Sequence, residues 1–190
     1  MNNSALMQGF ELSSLALSFR AAAVAHPALA GVSVRKCTRQ DRPFLRQVYS
    51  VARAAEMVTT GWDESAIASF LDLQFDLQHR YWRDHYRGAE FLVIQFRGQP
   101  IGRVYWWSNT ADAVLIDISL LPAWRNRGVG SGIVAVLNDR ADASRQTTTL
   151  HLQPTSPAHS LFLRAGFIIV DDNSVHLKMQ RSLVSRRATG

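Results

Sequence analysis

Cysteine and lysine are both scarce in this 190-residue chain. The single cysteine, Cys37, excludes an intrachain disulfide and a cysteine-based metal cluster, and it suits a reducing compartment. Lys36 and Lys178 are the only lysines, so arginine supplies nearly all of the positive charge behind a formal net charge of +6. We therefore expect a cytoplasmic protein that holds no metal ion and favours anionic partners, such as nucleic acid, phosphorylated cofactors or acidic proteins.

Charged residues make up 19% of the chain and hydrophobic residues 47%, which excludes a disordered polyelectrolyte and allows a sizeable core. The apolar stretch over residues 12–25 is too short to span a bilayer. It also differs from a secretion signal, because Glu11 precedes it, no basic residue does, and Arg20 interrupts it. We predict no membrane partner and interpret residues 1–30 as a poorly ordered or helical N-terminal extension.

Hydrophobic periodicity and turn residues predict one domain over residues 31–180, followed by a basic tail over 181–190. The predicted elements are strand 32–35, helices 41–55 and 63 to about 87, strands 91–96, 101–107 and 113–121, helix 128–143, strand 147–152, helix 157–164, and strands 167–170 and 175–179. Hairpins make most of the sheet antiparallel, whereas the strand–helix–strand unit over 113–152 needs one parallel step. The predicted fold class is therefore α/β with a mixed sheet.

A glycine-rich turn joins the apolar strand 113–121 to the helix that follows it. Residues 121–132 read Leu-Pro-Ala-Trp-Arg-Asn-Arg-Gly-Val-Gly-Ser-Gly, which sets Arg125 and Arg127 beside three glycines at a helix start. Amides at a helix N-terminus attract anions, glycines allow close approach, and the arginines add charge-assisted donors. We interpret the turn as a pyrophosphate site, with close helix–strand packing as the alternative. Its spacing fits neither the nucleotide P-loop nor the dinucleotide fingerprint.

Two motifs of the chain resemble the GNAT superfamily of acyl-CoA-dependent N-acetyltransferases. Residues 125–130 match Arg/Gln-x-x-Gly-x-Gly/Ala at each specified position, and residues 158–167 match Ala-x-x-Leu-Tyr-x-x-x-Gly-Phe except that Phe162 replaces the tyrosine. The resemblance covers about residues 31–180. It implies helices on both faces of the sheet, a V-shaped cleft between strands 113–121 and 147–152, and acetyl-CoA as co-substrate. The acceptor would be an amine of a small molecule or a protein, and a homodimer stays open.

The resemblance also assigns cofactor contacts by position. Pantetheine would pair with the backbone near Ile118 and Leu120, and Thr155 stands where family members often carry a cofactor-binding asparagine. Phe162 stands where they commonly carry the tyrosine that protonates the departing thiolate. The pyrophosphate would be held by the loop residues Arg125, Asn126, Arg127, Gly128, Val129, Gly130, Ser131 and Gly132.

Acetylation of an amine needs a group that removes a proton from the ammonium and a proton for the thiolate. We rank His151 first as the base, because family members often carry a cleft-facing glutamate in this strand and imidazole titrates near neutral pH. Asp117, alone in an apolar strand, ranks second, with a structural role beside Arg103 as its alternative. His159, one turn before Phe162, could replace the missing hydroxyl. A structural role stays open for both histidines.

The resemblance also implies that the first two helices and the loop near residue 60 line the acceptor side, with a solvated or packed helix face as the alternative for the helical candidates. Candidates there are Glu56, Trp62, Asp63, Gln74, Gln78 and Tyr81. The leading hypothesis is an N-acetyltransferase that transfers acetyl directly to a primary amine. A non-catalytic acyl-CoA-binding module is the alternative, because Phe162 has no proton to give. A nucleic-acid binder ranks last, since the arginines are spread along the chain and form no recognisable motif.

Overall fold

The computed structural model describes residues 14–22 and 25–182. Its elements are α1 Ser14–Ala22, β1 Val32–Lys36, α2 Arg42–Met57, α3 Glu64–His85, β2 Glu90–Phe96, β3 Gln99–Ser108, β4 Asp112–Leu120, α4 Val129–Ala143, β5 Thr147–Leu152, α5 His159–Arg164, β6 Ile168–Asp172 and β7 Leu177–Arg181. Short 3-10 turns at Pro27–Leu29, Arg39–Asp41, Val58–Thr60 and Pro122–Trp124 lead into β1, α2, α3 and the turn before α4. No helix among the described residues has both the length and the apolar character needed to cross a membrane.

The strands form one sheet in the order β1-β2-β3-β4-β5-β7-β6. β4 and β5 run parallel and are joined by α4, whereas every other pair of neighbours runs antiparallel. The predicted mixed, mostly antiparallel sheet is therefore confirmed, including its single parallel step.

Alternation along the central strand β3 divides the core into two parts. Val104 and Trp106 face a large cluster that α1 and α4 cover, and Arg103 and Tyr105 face the opposite side, under α2 and α3. All four side chains are nearly inaccessible to solvent. Successive side chains of a strand point to opposite faces, so this one strand supports both helical layers.

Local hydrogen bonds explain where the predicted helices begin. The capping box between Thr38 and Asp41 is present at the start of the 3-10 turn that leads into α2, and Asp63 accepts a hydrogen bond of 2.8 Å from the amide of Ala66 at the start of α3. α5 begins at His159 rather than at residue 157, because Ser156 forms a turn whose carbonyl accepts from the His159 amide. The expected start of this helix was therefore two residues early.

The N-terminal segment is helical over Ser14–Ala22, one of the two forms expected of the extension, and it packs into the core of the domain. Leu15 and Phe19 of α1 are 0% and 1% exposed, and Leu29 of the following 3-10 turn is 0% exposed. All three belong to the large core cluster under α4, so this part of the chain completes the domain. Residues 1–13 and 23–24 of the predicted extension, and residues 183–190 of the predicted tail, lie outside the described residues.

Candidate active site

The parallel strands β4 and β5 stay together over only four residue pairs, from Asp112 with Thr147 to Leu115 with Leu150. Farther along, β4 continues beside β3 and β5 continues beside β7. The register of β3 with β4 shifts after Leu115, which leaves Ile116 as an extra residue in β4. Such a bulge bends its strand. The two strands therefore diverge and open the V-shaped gap that the resemblance implied.

The backbone of β4 turns polar groups toward this gap. The amide of Leu121 donates to the carbonyl of Ile101 on β3 at 2.9 Å. Because the direction of the polar groups alternates along a strand, Leu120 and Ile118 turn theirs to the opposite side, toward the gap. Consistent with this direction, the carbonyl of Leu120 accepts a hydrogen bond of 2.9 Å from Nε of Arg125. A ligand lying in the gap would meet the backbone at these two positions.

The loop before α4 gathers positive charge at the mouth of the gap. Asn126 and Gly128 have positive φ angles of 57° and 80°, and Gly128 caps the helix. The first amides of α4, those of Val129, Gly130 and Ser131, have no partner within the helix because no turn precedes them. The exposed side chains of Arg125 and Arg127 flank these amides. Such a set of donors, at the positive end of a helix, suits a phosphate group.

Two glycines of this loop, Gly130 and Gly132, have different surroundings. A Cβ atom on Gly130 would lie 3.7 Å from Leu161 and 3.9 Å from Leu120, which are ordinary contact distances. A Cβ atom on Gly132 would come within 2.8 Å of Cγ of Leu29, and the amide of Gly132 already donates to the carbonyl of Gly128 at 2.9 Å. Gly132 therefore supplies no donor to a pyrophosphate, and close packing, the alternative stated for the turn, describes this glycine.

A pocket of about 280 Å³ lies between α4 and α5, beside the loop. It is lined by Ser131, Ala135, Asn138, Leu161, Arg164 and Ala165. Arg164 is exposed, and it brings a third arginine close to the start of α4. Arg164 lies within the second motif, but at a position where that motif specifies no residue, so the motif provides no signal for it.

His151 and Asp117 lie on the same face of the sheet, one on each diverging strand. The neighbours of His151 on either side, Leu150 and Leu152, pack into the core under α4, so His151 points to the other face. His151 is exposed on this face. Partial desolvation, together with the positive charge of Lys178 on β7, lowers the pKa of His151 below its usual value, which favours the neutral imidazole that can accept a proton. Its role as base stays a prediction.

Asp117 is engaged by the buried guanidinium of Arg103. Nε of Arg103 donates to Oδ2 of Asp117 at 2.7 Å, and the hydroxyl of Ser119 lies 3.3 Å from the same oxygen. The side chain of Arg103 is 2% exposed, so the carboxylate neutralises a charge that water cannot reach. This is the structural role that the sequence analysis left open for Asp117.

The residues expected near the thioester lie on or before α5. Phe162 is 3% exposed and packs against Phe167 at a ring-centroid distance of 5.6 Å. His159 is half-buried, and its Nε2 atom is buried with no hydrogen-bond partner among the described residues. Thr155 is exposed in the loop between β5 and α5. The geometry makes Phe162 a core residue, whereas the role of His159 as the acid and the contact of Thr155 with the cofactor stay predictions.

A polar bridge joins α2 to the end of β5 on the acceptor side. Gln153, with its amide oriented to satisfy both neighbours, donates to Oε1 of Glu56 at 3.0 Å and accepts from Arg53 at 2.8 Å. Arg53 in turn donates to Glu56 at 3.0 Å and lies over the ring of Tyr49. Among the predicted acceptor residues, Glu56 thus reaches the strand that carries His151. Arg53 and Gln153 were missed because they are 100 positions apart in the sequence.

The remaining acceptor candidates have local roles in the structure. Trp62 packs edge-on against Phe70, and Asp63 caps α3. Tyr81 stacks on His85, and Gln74 and Gln78 are half-buried along α3.

Burial raises the pKa of the Cys37 thiol to about 12, which keeps the thiol protonated near neutral pH.

Comparisons with known proteins agree with this geometry. Residues 87–169 match the family model described as the acetyltransferase (GNAT) domain. Similar solved structures include the PaiA N-acetyltransferase of Thermoplasma acidophilum in complex with coenzyme A (16% identity, TM-score 0.62, covering 80% of this chain and 98% of that chain). The histone acetyltransferase HPA2 and related acetyltransferase of Corynebacterium glutamicum gives 20% identity and a TM-score of 0.58, over 81% of this chain and 97% of that one.

A third similar structure is a GNAT family acetyltransferase of Elizabethkingia anophelis with acetyl-CoA bound (12% identity, TM-score 0.53, covering 81% of this chain and 99% of that chain). No curated protein sequence matches the chain significantly. The fold is the GNAT fold, and residues 87–169 match the GNAT acetyltransferase domain. The resemblance stated from the two motifs is confirmed.

Proposed function

We propose that this protein is an acetyl-CoA-dependent N-acetyltransferase that transfers the acetyl group directly to a primary amine. The observation that carries the proposal is the divergence of β4 from β5 after Leu115, with the start of α4 at the mouth of the gap. A gap between parallel strands offers backbone hydrogen bonds to an extended ligand, and the helix start offers amides to its phosphates.

The residues around the gap fit the cofactor. Gly130 has no side chain and faces the gap at ordinary contact distances from Leu120 and Leu161, so a pyrophosphate can approach its amide. Arg125 would add a charged donor beside it, and Ile118 and Leu120 would pair with the pantetheine amides. Asn126, Arg127, Gly128, Val129 and Ser131 complete the proposed pyrophosphate loop.

We add Arg164 to the proposed cofactor contacts. Its side chain lines the pocket between α4 and α5 together with Ser131, whose amide belongs to the proposed pyrophosphate loop. A guanidinium at this position suits a second phosphate group of the cofactor, because arginine forms strong charge-assisted hydrogen bonds to phosphate oxygens.

Acetyl-CoA supplies a thioester carbonyl that a neutral amine can attack. His151 would take the proton of the incoming ammonium, since its lowered pKa favours the neutral imidazole. Asp117 would hold Arg103 in place under the diverging end of β4 rather than move a proton. Glu56, held by Arg53 and Gln153, would give the acceptor side a carboxylate that attracts a cationic amine.

A non-catalytic acyl-CoA-binding module is the second candidate function. One observation favours it: Phe162, at the position of the usual acid, is a buried core residue without a proton to give. Coenzyme A is a fairly good leaving group, so protonation of its thiolate by solvent is compatible with turnover. The two functions therefore differ in whether an acetylated amine appears, and they share the same cofactor site.

The cofactor site is tested by calorimetric titration of acetyl-CoA into three folded proteins. We expect the wild type and Gly130→Ala to bind, because a methyl group at residue 130 meets no close contact. Gly130→Glu should lose binding, since its carboxylate would occupy the place of the phosphate and repel it. Equal affinity of Gly130→Glu and Gly130→Ala would refute the proposed cofactor site.

A further inference from the structure

The N-terminal segment contacts the back of the loop that carries the proposed pyrophosphate donors. We use the term N-terminal brace for α1, Ser14–Ala22, together with residues 25–30. Leu29 of the brace is 0% exposed and fills the space that a side chain at Gly132 would need. Ala28 does the same at Gly128, where a Cβ atom would lie 3.0 Å from the Cβ of Ala28. Two of the three loop glycines therefore serve contact with the brace.

Leu29 and Ala28 contact loop residues whose backbone conformation sets the direction of the free amides. Gly128 has a φ of 80°, which favours glycine, and it caps α4 immediately before the amides of Val129, Gly130 and Ser131. The first hydrogen bond within α4 joins the amide of Gly132 to the carbonyl of Gly128 at 2.9 Å. Leu29 and Ala28 thus touch both ends of the turn that presents these amides.

The brace reaches the other end of α4 as well, and this provides an internal control. The amide of Leu15 lies 3.5 Å from Glu90, whose carboxylate also pairs with Arg140 in the last turn of α4. Arg140 lies about 12 Å farther along the helix than Gly132, at 1.5 Å per residue. Leu15 and Leu29 are the same residue type, both are 0% exposed, and both belong to the same core cluster.

We infer that the N-terminal brace is a positioning element for the cofactor loop, in which Leu29 and Ala28 hold residues 128–132 in the conformation that binds the pyrophosphate. Its effect on cofactor affinity rests on the proposed function, whereas its effect on the order of the loop does not. By linkage, a cofactor that needs the ordered loop also stabilises the brace. Residues before the matched family region, 87–169, thereby take part in the binding site.

The first test compares Leu29→Ala with Leu15→Ala in the full chain. Both variants should lower the melting temperature to a similar extent, because each removes the same buried side chain. Only Leu29→Ala should accelerate hydrogen exchange at the amide of Gly132 in the cofactor-free protein. Only Leu29→Ala should also weaken calorimetric binding of acetyl-CoA, by roughly 5- to 150-fold, the usual range for coupled sites.

Equal exchange at Gly132 in the two variants would overturn the inference and reduce the brace to a general contribution to the core. If the wild type itself does not bind acetyl-CoA, the proposed function fails. Selective acceleration of exchange in Leu29→Ala would then still support the role of the brace in ordering the loop.

Enlarging the side chain at residue 132, alone and together with Leu29→Ala, tests the same contact in a second way. Gly132→Ala alone should lower the melting temperature, because its methyl group would collide with Cγ of Leu29. In a Leu29→Ala background the same substitution should raise the melting temperature, since it fills the vacated space and alanine favours a helix over glycine. A change of the same sign in both backgrounds would contradict direct contact as the reason for glycine at residue 132.

Discussion

Arg103 and Asp117 form an ion pair of 2.7 Å beneath the point where β4 begins to leave β5. The guanidinium is 2% exposed, and four aromatic rings surround it at 5.2 to 5.9 Å. These rings belong to Tyr49, Phe75, Trp82 and Tyr105. A buried cation with one carboxylate partner explains why an otherwise apolar strand carries an acid.

Asp117→Asn should destabilise the protein by about 3 kcal/mol, because it leaves the charge of Arg103 buried without a carboxylate. The loss would be measured by urea denaturation of the folded wild type and variant. Ser119→Ala, which removes only a long hydrogen bond of 3.3 Å to the same carboxylate, should cost less than about 1 kcal/mol. Comparable losses in the two variants would show that the ion pair contributes little.

The proposed base can be tested through its charged neighbours. Lys178 lowers the pKa of His151 and Asp171 raises it, while His176 adds a further lowering effect. Lys178→Gln should therefore move the pKa of His151 upward, and Asp171→Asn should move it downward, as measured by an NMR titration of the imidazole. Activity should fall as the pH drops through this pKa, because the protonated imidazole cannot accept a proton.

The acidic limb of the pH profile of kcat/KM should move to higher pH in Lys178→Gln and to lower pH in Asp171→Asn, together with the pKa of the imidazole. This limb should be absent in His151→Gln. If this limb does not shift when the pKa measured by NMR shifts, His151 is not the base. The same limb should be unchanged in Asp117→Asn, since Asp117 is committed to Arg103.

The bridge between Arg53, Glu56 and Gln153 predicts selectivity for cationic amines. Glu56→Gln should raise KM for a cationic amine by roughly three- to tenfold, about the loss of one partly exposed charge contact, and leave KM for acetyl-CoA unchanged. Glu64→Gln, an exposed change at the start of α3, is the control. If KM for the amine responds equally to both changes, Glu56 does not face the acceptor.

α1 gives a prediction that reverses the expectation from its sequence. Phe19→Ala should cost about 3–5 kcal/mol, because Phe19 is 1% exposed within the core. Leu17→Ala, in the same helix but 54% exposed, should change stability by less than about 0.5 kcal/mol. Equal, small losses of stability in the two variants would show that α1 contributes little to the core.

Local features of the fold could be predicted from the sequence, whereas contacts between distant segments could not. The sheet and the loop before α4 could be predicted, because periodicity, capping residues and the two motifs are local signals. Leu15 and Phe19 have helical spacing too, but the stretch was tested only as a membrane span and as a secretion signal, and its amphipathic face was not considered. The contact of Leu29 with Gly132 joins segments about 100 residues apart, and no local pattern announces it.

The proposed activity is tested most directly by the release of free thiol from acetyl-CoA in the presence of a panel of primary amines, with the acetylated amine identified by mass spectrometry. We expect stoichiometric thiol and acetyl-amine from the wild type, none from Gly130→Glu, and a reduced rate from His151→Gln. Tight binding of acetyl-CoA by the wild type, with no acetylated product from any small or protein amine, would contradict the proposed activity and favour the acyl-CoA-binding module.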